Sequence, residues 1–255
     1  MSGATVSGPT DIRVTVREQY GALAEGKDGC CGSTGCGCAE PARSALSDIG
    51  YTAEQAAAIP EGADLGLGCG NPLAHAAVKR GETVLDLGSG AGIDAFLAAR
   101  EVGPEGRVIG VDMTPAMLDR ARANAAKGGY ANVEFRLGEI EHLPVADGTV
   151  DLVISNCVAN LSPQKDQVFR EAYRVLKPGG RMLVSDLVLE RSLPKEIRES
   201  IEAYVGCIAG ASLKEDYLRF IREAGFEGVE IVRESAYGSA PVTSAQVRAT
   251  KSATR

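Results

Sequence analysis

The stretch Thr83–Gly92, TVLDLGSGAG, constrains the fold of this chain more than any other. TVLDL is a short apolar run that reads as a buried strand, and Gly88, Gly90 and Gly92 follow it at GxGxG spacing. Glycines in that position mark a tight turn where backbone approaches a ligand, with a helix N-terminus beyond it. The GxGxxG spacing of dinucleotide folds is absent, which argues against a nicotinamide ligand. Asp86 lies inside the strand, two residues before the first glycine. A carboxylate there sits poorly beside a pyrophosphate and well beside a cation.

From Thr83 the pattern alternates strand and helix. Strands are expected at 83–87, 107–112, 133–137, 150–155 and 181–188, each short and apolar as in a parallel sheet covered on both faces. Crossover helices are expected from Ile93 to Val102, Pro115 to Lys127 and Pro163 to Leu176. VEIVRES and VTSAQVRA then close the sheet as a hairpin-like pair. Between the fifth strand and that pair lie a helix with Tyr204, a loop GCIAGAS, and a helix capped by Ser212 with Glu215. The first ten residues carry no pattern. A helix from Asp11 to about Gly26 follows, with Ile12, Val16, Tyr20 and Leu23 on one face. Gly29–Pro41, GCCGSTGCGCAEP, is too rich in glycine for regular structure. Thr52 with Gln55 forms a capping box for a helix stopping at Pro60, and Asn71-Pro72 starts another. The fold class is α/β: a doubly wound, mostly parallel seven-stranded sheet, Rossmann-like, with an N-terminal helical and Cys-rich cap. The expected division is a cap over 1–70 and a catalytic domain over 71–255, with a loop near 204–212 belonging to its site.

Charge and cysteine usage narrow the function. A net charge of −7 with no Lys/Arg run argues against a nucleic-acid partner. No stretch reaches the ~18 apolar residues of a membrane span, and the N-terminus lacks a signal core. The chain therefore reads as cytoplasmic. Seven Cys stand against two His, an odd count that does not suit a disulfide framework in a reducing compartment. Cys69 and Cys207 sit in glycine-rich loops, and Cys157 follows the fourth strand at the carboxyl edge where open α/β sheets bind ligands. Singly, each would be an ordinary small buried hydrophobe. Together they would make a soft trigonal site for a thiophilic centre, whereas zinc would call for a fourth ligand and CxxC pairs. His75 and His142 read as structural.

The order VLDLGSGAG, GVDM, DLVISN and LKPGG resembles class I S-adenosylmethionine methyltransferases from about Thr83 to Val188. The resemblance implies S-adenosylmethionine contacts from Asp86, Gly88, Ser89, Gly90 and Gly92. It implies others from Asp112 to the ribose hydroxyls, Met113 beside it, Gly138 and Glu139 bordering the adenine, and Asn156. More narrowly, VREQYGALA, LGLGCGNPLAHA, SNCVANLSPQKDQVFREAYRVLKPGGRMLVSD and YVGCIAGA resemble arsenite methyltransferases, over about Arg13 to Glu234. By that resemblance Cys69, Cys157 and Cys207 are the thiols that hold trivalent arsenic. A fourth family thiol corresponds to Cys30 or Cys31, with Cys31 favoured, and Cys36 and Cys38 have no assigned role. Many relatives carry a further C-terminal domain, whereas this chain stops soon after the last expected strand.

The chemistry that would follow needs no general base, because trivalent arsenic attacks the sulfonium methyl with its own lone pair. Methylation leaves arsenic formally pentavalent, so a pair of site thiols closing to a disulfide supplies two electrons. A thioredoxin or glutathione-type reductant then restores them. Thiols of depressed pKa, aided by a helix N-terminus, would help. The implied substrate is thiol-bound arsenite and the expected state a monomer, with neither nucleic acid nor membrane as partner. Two other readings remain: a methyltransferase of the same fold for a quinone-like or other organic acceptor, and a thiol protein that sequesters arsenic without turnover.

Overall fold

The computed structural model describes residues 9–26, 43–237 and 241–254. Cys30, Cys31, Cys36 and Cys38 lie outside them, so the expectations placed on that cluster are not met or refuted by geometry. In chain order the elements are α1 (Pro9–Ala24), α2 (Arg43–Asp48), α3 (Ala53–Ala58), β1 (Thr83–Leu87), α4 (Ile93–Val102), β2 (Arg107–Asp112) and α5 (Pro115–Gly128). Then follow β3 (Val133–Leu137), β4 (Val150–Asn156), α6 (Lys165–Val175), β5 (Leu176–Leu189), α7 (Lys195–Arg198) and α8 (Ile201–Val205). β6 (Ser212–Leu213), α9 (Lys214–Glu223), β7 (Glu227–Ala236) and β8 (Val242–Thr250) complete the fold.

The sheet runs β3-β2-β1-β4-β5-β8-β7, the seven-strand path expected, with the two-residue β6 added beside β5. All pairings are parallel except those of β8, which is antiparallel to both β5 and β7. The order reverses between β1 and β4, so their carboxyl ends part and leave a crevice there. Burial on both faces explains the near-continuous apolar strands: Val84, Leu85, Leu152, Val153 and Ile154 are wholly excluded from solvent. Each contributes about 1.5–3 kcal/mol on burial. One apolar cluster holds Phe96, Leu97 and Leu118 of α4 and α5, a second Val168, Phe169, Tyr217 and Ile221 of α6 and α9. A third joins Ile12 and Val16 of α1 to Leu161, Leu187, Leu189, Cys69 and Cys207. The helical cap is thus packed over the thiol end of the sheet.

Local signals behave as expected at Thr52, whose hydroxyl and Gln55 exchange both bonds of a capping box. Asn71 caps Leu73 and Ala74, but the turn it opens is a 3-10 turn, Pro72–His75. Three expectations are corrected. α1 starts at Pro9 rather than Asp11. β5 begins at Leu176, not at 181, because LKPGG bulges out of the β4 pairing, with Gly179 at φ 77°. Ser212 does not cap α9: it is extended as β6 against Val188, and no side chain caps Leu213. An open strand edge competed there with a local side-chain bond and won. No helix among the described residues is long and apolar enough to cross a membrane.

Candidate active site

A cleft of about 1190 Å³ opens at the carboxyl ends of β1, β2 and β4. One wall is the turn after β1, where Gly88 and Ser89 both donate their N–H to the Val111 carbonyl of β2, at 2.8 and 3.0 Å. Gly88 has φ 67°, and a Cβ there would meet Val158 Cγ2 at 2.3 Å. Gly90 has φ 51° and nothing within 4 Å of where its Cβ would be, so the turn leaves open space facing the cleft. Asp112 fixes the turn: its carboxylate accepts from Gly90 N–H at 2.9 Å and from Thr114 N–H at 2.8 Å.

Three carboxylates line this end: Asp86, Asp94 and Asp112. Burial, then the charges of Asp94 and Asp112, push Asp86 well above the usual carboxylate range. Burial likewise raises Asp112, and raises Asp94 to about 6 against the bonds from Tyr51 and Asn156. No Lys or Arg among the described residues is the source of relief for any of them. The cleft is short of positive charge, and Ser89 Oγ is buried there without a partner. A cationic, polar ligand fits both deficits, as S-adenosylmethionine would.

The opposite side of the cleft carries the cysteines. Cys157 and Cys207 line it, while Cys69 is buried and lines a small separate cavity with Gly70, Ser244 and Gln246. The Cys207 thiol donates to the Cys157 carbonyl at 3.0 Å, and the Cys69 thiol lies 3.8 Å from Ser185 Oγ. Hydrogen bonds with Cys207 and then Cys69, followed by burial, push the Cys157 thiol well above its ordinary pKa. The three thiols therefore stand together, and the other two favour the protonated form of Cys157. At Cys157 this corrects the expectation of a depressed thiol: it precedes a 3-10 turn, not an α-helix N-terminus, and the neighbouring thiols favour its proton. Among the described residues no three His, Cys, Asp or Glu are already arranged to hold a metal ion. Soft-centre binding would need the thiols to lose protons and close inward.

Cys157 and Cys207 have φ 59° and 64°, two of only three non-glycine residues at positive φ among the described residues. Such backbone costs on the order of 1–3 kcal/mol per residue and persists where surroundings impose it. Here they do: Cys157 N–H donates to Ser185 O at 2.7 Å, and Cys207 N–H to Tyr204 O at 2.9 Å. A Cβ on Gly210, just past Cys207, would strike Asn160 O at 2.1 Å, which pins the loop against the turn after β4.

Of the expected residues, Asp86, Gly88, Ser89, Gly90, Asp112, Met113, Gly138, Asn156, Cys157 and Cys207 line the cleft. Gly92 and Glu139 do not. Gly92 starts α4 at φ 101°, packed on Phe96, and Glu139 pairs with Arg17 at 3.2 Å. Ile140 and Glu141 line the cleft instead, and Arg13 bonds Glu141 at 2.9 Å. His75 and His142 stay off it, and His142 is exposed. Sequence reasoning missed Asp94 and Tyr51. Asp94 carried a signal, an acid in the first turn after the glycine loop; Tyr51 carried none.

Comparisons with known proteins give the fold and the family. Residues 78–225 match the family described as Methyltransferase domain. The arsenite methyltransferase of Halobacterium salinarum is 54% identical over 88% of this chain, which spans 59% of that protein's length, less than two thirds. A solved arsenic(III) S-adenosylmethionine methyltransferase from Chlamydomonas reinhardtii is 38% identical and superposes with TM-score 0.61, covering 83% of this chain and 73% of that one. A ubiquinone/menaquinone biosynthesis C-methyltransferase of Klebsiella pneumoniae is 39% identical over 50% of each chain.

Proposed function

The chain belongs to the S-adenosylmethionine-dependent arsenite methyltransferases, and on that premise we propose that it transfers methyl groups from S-adenosylmethionine to thiol-bound trivalent arsenic. The observation that carries this reading is the meeting of Cys69, Cys157 and Cys207 beside a carboxylate-lined, cation-deficient cleft. When bound, the cofactor supplies an electrophilic methyl on a sulfonium. Asp86, Asp94 and Asp112 would hold that positive charge, and Gly88, Ser89, Gly90, Met113 and Gly138 would form its cradle. Cys69, Cys157 and Cys207 would exchange their protons for arsenic and fix its lone pair toward the donor side, a gain in proximity rather than in acid–base catalysis. No His lines the cleft among the described residues, which suits a nucleophile that brings its own lone pair.

Two electrons must enter when arsenic becomes formally pentavalent. A pair of site thiols closing to a disulfide supplies them, and a thioredoxin or glutathione-type reductant reopens it. Cys31 takes part in that reading as the fourth thiol. The division into a cap over 1–70 and a catalytic body over 71–255, acting as a cytoplasmic monomer, rests on the same ground. The test is multiple turnover with arsenite, a thiol and labelled cofactor. Label in methylated arsenicals is expected; folded, cofactor-binding protein that leaves arsenic unmethylated overturns the proposal. Label in a quinone-like acceptor alone would favour the organic-acceptor reading.

A further inference from the structure

A chain of short hydrogen bonds joins the two sides of the cleft, and methyl transfer itself does not require it. It begins at Asp94, whose Oδ1 accepts from the Tyr51 hydroxyl at 2.7 Å. Asn156 Nδ2 donates to that same hydroxyl at 2.9 Å, to Gly70 O at 2.7 Å and to Asp94 Oδ2 at 3.1 Å. Asn156 Oδ1 accepts the backbone N–H of Cys69 at 3.0 Å. The side-chain amide of Asn156, which the sequence marked for the cofactor, is thus committed to holding the Cys69 loop.

That loop has no slack. A Cβ on Gly68 would lie 3.0 Å from Asn156 Nδ2, and one on Gly70 would lie 2.0 Å from Ser185 Oγ. Ser244 Oγ holds the Cys69 carbonyl from the other side at 2.7 Å. Cys69 is thus held between Asn156 on one side and Ser244 on the other.

At the far end, Asp94 shares the cleft with Asp86 and Asp112 and is held by burial near a pKa of 6. Near pH 6 and below, where Asp94 still holds much of its proton, a cation arriving among these carboxylates favours its ionised form. An ionised acceptor strengthens the Tyr51 bond, since charge-assisted hydrogen bonds are roughly twice as strong as neutral ones. Polarisation then passes along the chain: the Tyr51 oxygen accepts better from Asn156, and the Asn156 carbonyl accepts better from Cys69 N–H.

We propose that Tyr51 and Asn156 are positioning residues that couple a cation in the donor side of the cleft to the placement of Cys69, so that cofactor and trivalent arsenical bind with positive cooperativity. The arsenical half rests on the function proposed above; the link between cleft and Cys69 does not.

The test measures hydrogen exchange of the Cys69 amide by NMR in the whole chain. It uses saturating sinefungin, which carries an amine cation in place of the sulfonium, and S-adenosylhomocysteine, which is neutral there. Sinefungin is expected to slow Cys69 exchange about tenfold, and S-adenosylhomocysteine to do so less. In Tyr51→Phe the sinefungin effect is expected to shrink to a few-fold, because Asn156 Nδ2 still bonds Asp94 Oδ2 directly. Amides of Val84 and Leu85, read in the same sample, report whether that variant is folded. Should it not be, Asn156→Ser serves: Cys69 exchange is expected to be fast and indifferent to sinefungin. Equal slowing in wild type and a folded variant, or none in wild type, overturns the coupling.

In parallel, sinefungin is expected to tighten phenylarsine oxide binding about tenfold in wild type and by less in Tyr51→Phe. Phenylarsine oxide that fails to bind, with the exchange effect intact, overturns the arsenic reading and supports the coupling.

Discussion

Most of the donor side of the cleft comes from one stretch of chain: β1, its glycine turn and the first turn of α4 follow one another within Thr83–Asp94, with Asp112, Met113 and Gly138 added from the ends of β2 and β3. The thiol side comes from three. Cys157 and Cys207 are 50 residues apart, and Cys69 is 87 from the Asn156 that holds it. Glycine supplies left-handed backbone on the donor side without strain, whereas on the thiol side Cys157 and Cys207 adopt it themselves. The glycine turn binds through its backbone, so side chains are dispensable at the turn itself and are kept only in the carboxylates around it. A thiol site binds through sulfur and must keep the side chain even where backbone would prefer glycine. The two sides therefore answer differently to substitution.

The strongest separation is expected from Cys157→Ser. Methyl transfer to arsenic should fall on the order of a hundredfold or more, while S-adenosylhomocysteine affinity, read by calorimetry, stays near normal. Turnover close to wild type would remove Cys157 from the site. Gly90→Val should do the reverse. A branched side chain at φ 51° is strained and enters open cleft, so sinefungin binding should weaken about tenfold to a hundredfold. Phenylarsine oxide binding without cofactor should be retained; a parallel loss would mean that the two sides are one structural unit.

Asp86→Asn sharpens the electrostatic half of the contrast. Removing one of three crowded carboxylates should narrow the preference for cationic S-adenosylmethionine over neutral S-adenosylhomocysteine by about tenfold. An unchanged ratio of the two affinities would show that charge is not what the cleft selects.

The smallest effect concerns Asp186, on β5 beneath the thiols. Burial raises it to about 7, against a bond from Tyr217 and the charge of Lys165. The unfolded chain ionises this group near ~3.9, so the folded state holds the extra proton between about 4 and 7. Its contribution to stability is then full below pH ~4 and lost as pH rises through 7. Relative to Asp186→Asn, the wild-type melting temperature should drop by a few degrees between pH 5 and pH 8, at roughly 3 °C per kcal/mol. A gap that does not vary with pH would place the Asp186 proton elsewhere.

The donor side was legible because its residues are consecutive: Asp86, Gly88 and Gly90 announce a turn at the end of a strand. Glu139 misled because position alone put it beside the cleft, whereas Arg17 of the distant α1 draws it aside. The thiols were legible one by one, each in its own signature, but the state of Cys157 was not. Its raised pKa comes from Cys69 and Cys207, which adjoin it only once the sheet is built. Tyr51 was invisible for the same reason, since its bonds reach Asp94 and Asn156, far along the chain. Ser212 failed through a rule applied too locally, when the edge of β5 offered its backbone a better partner.

One consequence of the sheet order concerns the time at which the site comes into being. β8 follows every other described element in the chain, yet it lies between β5 and β7, and its Ser244 and Gln246 support the Cys69 loop at Cys69 O and Asn71 O. Synthesis proceeds from the N-terminus, so a nascent chain owns the glycine turn, its cleft strands and the Asn156 that holds Cys69 long before Ser244 and Gln246 support that loop from the other side. Cys207 can bond Cys157 as soon as residue 207 is in place, whereas Cys69 gains its last support only with β8, so the three-thiol group is the final part of the site to be completed.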